Sequence, residues 1–154
     1  YMPFVYAHPV YYQKIKEETK GSGDITRSTH LFIDSEKARV HTEEEMIKIE
    51  NIQGKLIVIG ADDDSFWEAG KYVRRMEQRL KERPRSCDYE AIVYTHGTHF
   101  VLPESMLRLA LPVGLKLVLK FVFRAAKEYP NEYEETRKDI DRRLSAAIQN
   151  WITE

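Results

Sequence analysis

Two short segments carry the side chains able to do chemistry. One, IVYTHGTHFVLP at residues 92–103, places His96 and His99 three residues apart just past a strand-like run. The other, LIVIGADDD at residues 56–64, sets Asp62, Asp63 and Asp64 in a row after a second such run. A carboxylate that accepts a ring N–H of histidine fixes the tautomer and stabilises the imidazolium formed when the other nitrogen takes a proton. A histidine held in this way is a general base for a hydroxyl or thiol nucleophile. The same residues could instead hold a metal ion. That is the weaker option, because H-x-x-H in a loop is a poor facial arrangement and no firm third ligand is evident. Nothing in either segment calls for a cofactor.

The flanking elements decide whether the two segments meet. Residues 55–59 form a continuous apolar, β-branched run after Gly54, as a strand buried on both faces would. Ser65 reads as the N-cap of a helix whose apolar positions, Phe66, Ala69, Tyr72, Val73, Met76 and Leu80, keep helical spacing up to Pro84. Residues 89–94 read as a second strand, which completes a βαβ unit and predicts a parallel pair. Parallel neighbours about 4.8 Å apart end on the same side, so both loops lie at one edge. Open α/β sheets bind their ligands at that edge. The fold class expected is therefore α/β, with one site built from the two loops.

The remaining chain is less patterned. Residues 1–12 are aromatic and read as irregular or edge structure, and residues 14–20 as a short helical stretch ended by Gly21-Ser22-Gly23-Asp24. Residues 25–40 are polar and weakly periodic, an excursion rather than core. Thr42 and Glu45 form a capping-box pattern. Residues 111–126 are dense in apolar side chains and read as mostly helical. A final helix capped by Asn131 carries Ile140, Leu144, Ala147, Ile148 and Trp151 on one stripe.

Composition narrows the function classes. The 154 residues, 42% hydrophobic and 32% charged with a formal net charge of −1, suit one globular domain and give no reason to expect a nucleic acid or an anionic membrane as partner. The most apolar stretch, residues 115–123, is interrupted by Lys116 and Lys120 and falls well short of the roughly 20 residues needed to cross a bilayer. The opening residues are aromatic without a basic leader, and the start at Tyr1 rather than Met leads us to expect further chain upstream. The single cysteine, Cys87, excludes an internal disulfide framework and fits a reducing, cytoplasmic setting.

The two loops resemble a known family. Gly60-Ala61-Asp62-Asp63 after one strand and Tyr94-Thr95-His96-Gly97-Thr98-His99 after the next resemble the acid and histidine segments of α/β-hydrolases. Residues 49–56 leading into Gly60, then Phe66-Trp67 and His99-Phe100, are similar to the C-terminal domain of acyl-CoA thioester hydrolases and bile acid-CoA:amino acid N-acyltransferases. The resemblance implies Asp63 as triad acid and His99 as base, with an acyl ester or acyl-CoA as substrate and water or an amine as acceptor. Thr98 departs from the family pattern, in which glycine often precedes the histidine. His96, Phe66, Trp67 and Phe100 are candidate site-lining residues; for Phe66 and Trp67 core packing is the plainer role.

The triad so implied lacks a nucleophile. Family members carry a G-x-S-x-G elbow, or its cysteine form, before the acid, and no such pattern occurs in these residues. Cys87 precedes the second strand, about 20 Å from the His99 end at roughly 3.3 Å per residue. Ser105 lies on no elbow. The nucleophile is therefore expected upstream, and the chain is read as the C-terminal portion of a hydrolase. Residues 1–41 would be a cap-like excursion and residues 42–154 would carry the acid and histidine loops. Two parallel strands alone are too few for a stable buried sheet, which makes the upstream part of the same protein an expected partner and leaves self-association open. A non-catalytic interaction domain on the same frame is the alternative. Simpler roles are expected for Asp62 and Asp64, as carboxylates at a helix N-terminus, and for His8, His30 and His41, as surface residues. Lys71, Arg74, Arg75, Arg79, Lys81 and Arg83 are expected to form a solvated helix face.

Overall fold

The computed structural model describes residues 9–38 and 42–153. It is a mixed helix and strand assembly around one small parallel sheet. In chain order the elements are α1 (Pro9–Thr19), α2 (Thr29–Lys37), β1 (Lys55–Ala61), α3 (Ala69–Glu82), β2 (Asp88–Tyr94), α4 (Glu104–Ala110), α5 (Leu115–Val122), α6 (Arg124–Glu128) and α7 (Pro130–Thr153). Short 3₁₀ turns at Glu43–Glu45 and Ile49–Asn51 precede β1. In the first of these, Thr42 N–H donates to Glu45 Oε2 at 3.1 Å, one half of the expected capping box.

β1 and β2 pair in parallel with Lys55 opposite Asp88 and Ala61 opposite Tyr94. Asp62 N–H then donates to Tyr94 O at 2.9 Å, so the pairing runs to the last residue before the loops diverge. The β-branched run and the helix returning it to the sheet produce this βαβ unit as the sequence predicts. α3 starts later than expected, at Ala69, and Ser65 is not its cap. The Asp64 carboxylate accepts the N–H groups of Phe66 (2.8 Å) and Trp67 (3.4 Å), and this competing turn delays the helix. Gly60 lets α3 approach the sheet: a Cβ there would lie 2.9 Å from the carbonyl of Ala69 and from Val73 Cγ2.

Two apolar clusters hold the elements. Ile49, Leu80 and Cys87 are packed with Leu56, Met76 and Tyr89 beneath α3. Leu107, Leu115, Leu119, Phe123, Ala126 and Tyr133 join α4 to α7, with Phe66 packed against them. Cys87 is thus a small core residue. The outer faces of α4 and α5, with the turn between them, leave Leu109, Val113, Leu117 and Phe121 exposed.

Three regions differ from expectation. Residues 9–12 belong to α1, and α2 replaces the polar excursion, with Leu31 and Ser35 buried and Ser35 Oγ donating to Leu31 O at 2.6 Å. The segment between them is tied to the body of the chain by Ile25 N–H to Val122 O (2.8 Å) and Ser28 N–H to Ser65 O (3.0 Å), contacts that no local periodicity encodes. The stripe on α7 is buried at Ile140, but Ile148 and Trp151 are exposed. The cations of α3 are ion-paired rather than simply solvated. Lys71 and Arg75 reach Glu36, Arg79 reaches Glu43 and Glu50, and Arg74 grips Asp62 with two bonds of 2.7 Å. His30 meets Glu18 at 2.8 Å on the surface, while His8 and His41 lie outside the described residues.

The buried ion pair between α4 and α7 fixes how the C-terminal helices sit. Arg137 Nε donates to Glu104 Oε2 at 2.7 Å, and its guanidinium stacks over the Tyr133 ring at 4.5 Å. Burial pushes the Glu104 carboxyl up, but Arg137 and Arg108 outweigh it and hold the group below its ordinary value. A lowered carboxyl contributes stability above its unfolded value and loses it as pH falls through the folded one. Replacing Arg137 by Ala leaves Glu104 with Arg108 as its remaining cation, at 2.8 Å, and chemical denaturation should record a loss of about 1–3 kcal/mol at neutral pH. The deficit should shrink on acidification below the ordinary carboxylate range.

Candidate functional site

The site is set by where the two strands end. Asp62, Asp63 and Asp64 leave the tip of β1, and residues 95–103 leave the tip of β2 beside them. Gly97 permits the contact between the loops, since a Cβ there would come within 2.9 Å of Ala61 Cβ and 3.1 Å of Val101 Cγ1.

Two aspartate–histidine pairs result. His99 Nδ1 lies 3.1 and 3.2 Å from the two oxygens of Asp64. His96 Nδ1 lies 3.3 Å from Asp63 Oδ2. The loops meet as expected, but the partner of His99 is Asp64 rather than Asp63, and His96 is a member of the second pair. The reason is local. The turn made by Asp64 over Phe66 and Trp67 swings its carboxylate inward, to 2% side-chain exposure, where His99 reaches it. Asp63 instead faces the backbone of the histidine loop, accepting Gly97 N–H at 3.0 Å and Thr98 N–H at 2.7 Å on Oδ1. Asp62 is taken by Arg74, whose guanidinium holds the carboxyl below its usual range against the opposing effect of burial.

An ionised carboxylate only accepts, so the hydrogen between Asp64 and His99 belongs to Nδ1 and the imidazole lone pair to Nε2. That is the tautomer a general base requires. Aromatic rings fix the imidazole plane. Phe66 stacks on His99 at 4.0 Å, Trp67 meets it edge-on at 4.5 Å, and Phe100 lies 5.7 Å away. Phe66 and Trp67 therefore pack on the histidine as well as on the core. His96 stacks on Tyr129 at 3.9 Å.

Thr98, immediately before His99, has φ 58° and 1% exposure. A left-handed backbone costs a β-branched residue about 1–2 kcal/mol. Two N–H bonds to the Asp63 carboxylate, each worth about 1.5–3 kcal/mol, exceed that cost. Thr98 Oγ1 also contacts Tyr133 Oη at 3.3 Å and accepts Phe100 N–H at 3.3 Å.

A cavity of about 530 Å³ opens beside the aspartates. Its charged lining includes Asp24, Arg27, Asp62, Arg74 and Arg124, together with Ser65. Arg27 comes from a segment without pattern in the sequence, and Arg124 from the apolar-rich region read as mostly helical. The Asp24 carboxylate lies 3.8 Å from Arg27 and accepts Arg124 N–H at 3.0 Å. Nothing in the local sequence marks these contacts, nor Tyr129 over His96. Asp64 could have been singled out only by its spacing two and three residues before the amides it caps.

No hydroxyl or thiol of the described residues is bonded to His99. Ser65 Oγ is buried without a hydrogen-bond partner among the described residues, Ser105 Oγ bonds to Asp141, and Cys87 lies in the α3 core at the far end of β2. Among the described residues no group of three or more His, Cys, Asp or Glu side chains is arranged to hold a metal ion, and no helix is long and apolar enough to cross a membrane.

Residues 5–106 match the family model described as BAAT / Acyl-CoA thioester hydrolase C terminal. No curated protein and no solved structure matches the chain.

Proposed function

The chain belongs to the BAAT / acyl-CoA thioester hydrolase C-terminal family, and from that premise we propose that it is the C-terminal portion of an α/β-hydrolase. In this reading the whole protein cleaves or transfers the acyl group of an ester or acyl-CoA thioester. His99 is the general base and Asp64, in place of Asp63, is the acid that holds it. The observation that carries the reading is the Asp64–His99 pair: a buried carboxylate against Nδ1, at the carboxyl ends of two parallel strands.

The nucleophile is a serine or cysteine on a strand-to-helix elbow outside these 154 residues. The absence of G-x-S-x-G from the sequence and the engagement or burial of Ser65, Ser105 and Cys87 support this. The exposed apolar residues of α4 and α5 and the two-stranded sheet are consistent with more protein packing against this unit.

The chemistry runs in two halves. His99 Nε2 takes the proton of the hydroxyl or thiol as its oxygen or sulfur bonds to the acyl carbon. The imidazolium, stabilised by Asp64, returns that proton to the departing alkoxide or thiolate as the tetrahedral adduct collapses to an acyl-enzyme. Water, or an amine in acyl transfer, is then deprotonated by the same nitrogen as it attacks the acyl carbon. The proton passes back to the nucleophile on its release. Phe66, Trp67 and Phe100 shield the imidazole from solvent, and the charged cavity beside Asp62 offers room for the polar part of the substrate.

Kinetics and labelling test these roles separately. In the full-length protein, His99→Ala and Asp64→Asn should each lower kcat for p-nitrophenyl acetate by about 10⁴-fold, the scale seen when the carboxylate of a Ser-His-Asp triad is lost. Wild-type turnover in either variant would refute the assignment. A fluorophosphonate or iodoacetamide probe, with peptide mapping, should label a serine or cysteine outside residues 1–154. Labelling at Ser65, Ser105 or Cys87 that tracks loss of activity would contradict an external nucleophile.

A further inference from the structure

The second carboxylate of the loop takes no part in proton transfer at His99, yet three donors from successive residues converge on it. We infer that Asp63 is a positioning residue, clamping the histidine loop in a left-handed turn so that His99 faces Asp64; the inference rests on the reading of His99 as base. The three residues that reach its carboxylate are His96 through Nδ1 at 3.3 Å, Gly97 through N–H at 3.0 Å and Thr98 through N–H at 2.7 Å. Each contact crosses from the tip of β1 to the loop after β2, so the carboxylate sets the position of one loop against the other.

The backbone of the histidine loop makes the clamp necessary. The chain leaving Tyr94 must turn for His99 to reach Asp64; it bends at Thr95, His96 and His99, and Thr98 between them takes φ 58°. Thr98 is the only non-glycine residue with positive φ among the described residues. Glycine would take that conformation at no steric cost, whereas a β-branched residue resists it. A group outside the turn must hold it, and the Thr98 N–H bond to Asp63 Oδ1 is the shortest contact that does so. The hydroxyl of Thr98, buried against Tyr133 Oη, explains why a threonine can be useful there, since it joins the loop to α7. The two aspartates therefore divide the work. Asp64 sets the tautomer and charge of His99, and Asp63 sets where the ring stands.

The two roles respond differently to the same substitutions. Asp63→Asn keeps an oxygen for the two amides, whereas Asp63→Ala removes it. In the full-length protein hydrolysing p-nitrophenyl acetate, Asp63→Asn should stay within about tenfold of wild type. Asp63→Ala should lose about 10²-fold in kcat with KM little changed, the scale of a misplaced catalytic group. Adding Thr98→Gly to Asp63→Ala should recover about tenfold, because the turn no longer has to be held against its own preference. The pH–rate profile of Asp63→Ala should keep the wild-type inflection. Amide exchange at Gly97 and Thr98 should speed up in Asp63→Ala and stay slow in Asp64→Asn, a readout independent of any reaction. Asp63→Asn as damaging as Asp63→Ala, with a displaced pH profile and no recovery from Thr98→Gly, would overturn the clamp and make Asp63 the electrostatic partner. Unchanged exchange at both amides in Asp63→Ala would overturn it as well. Full activity in His99→Ala would instead refute the hydrolase reading, while exchange at the two amides would still decide whether Asp63 holds the turn.

Discussion

A carboxylate with 2% side-chain exposure must be satisfied where it stands, and the satisfaction of Asp64 organises the site. It has the amides of Phe66 and Trp67 on one side and the imidazole of His99 on the other. The two amides belong to the loop after β1, and the imidazole belongs to the loop after β2. One buried charge therefore couples the end of one strand to the end of its neighbour. It also delays α3 to Ala69 and brings Phe66 and Trp67 into contact with the imidazole.

That arrangement needs a frame with little freedom. The parallel register places Ala61 opposite Tyr94, and the continuing bond from Asp62 N–H to Tyr94 O leaves both loops starting at the same height. Gly60 and Gly97 remove the side chains that would hold α3 and the histidine loop away. Farther out, ion pairs lock the surroundings. Arg74 holds Asp62, and Arg137 with Glu104 ties α4 to α7. Tyr133 on α7 packs in the C-terminal core and touches Thr98, so the last helix supports the turn on which His99 depends.

Much of the frame is legible in residue order. A β-branched run, an amphipathic helix and a second run are recognisable as βαβ, and strand geometry then requires Asp62, Asp63 and Asp64 to stand near His96 and His99. Which aspartate pairs with which histidine is not legible in this way. Three adjacent carboxylates differ in direction through the backbone dihedrals of the turn, and those depend on the amides of Phe66 and Trp67, which helical spacing assigns to a helix. Ser65 misleads for the same reason: it is a good capping type, but the carboxylate before it takes the amides first. α2 and the bond between Asp24 and Arg124 are hidden because their partners lie far away in the chain, with Asp24 bonding to a residue 100 positions on. Thr98 is visible as a departure from the family pattern, although its left-handed backbone is evident only in the folded turn.

The state of the His99 ring, read by long-range ¹H–¹⁵N NMR on the full-length protein, tests the central claim most directly. His99 should carry its hydrogen on Nδ1, with a strongly downfield proton that persists in Asp63→Asn and disappears in Asp64→Asn. A hydrogen on Nε2 at neutral pH, or a downfield proton lost with Asp63 and kept without Asp64, would contradict it.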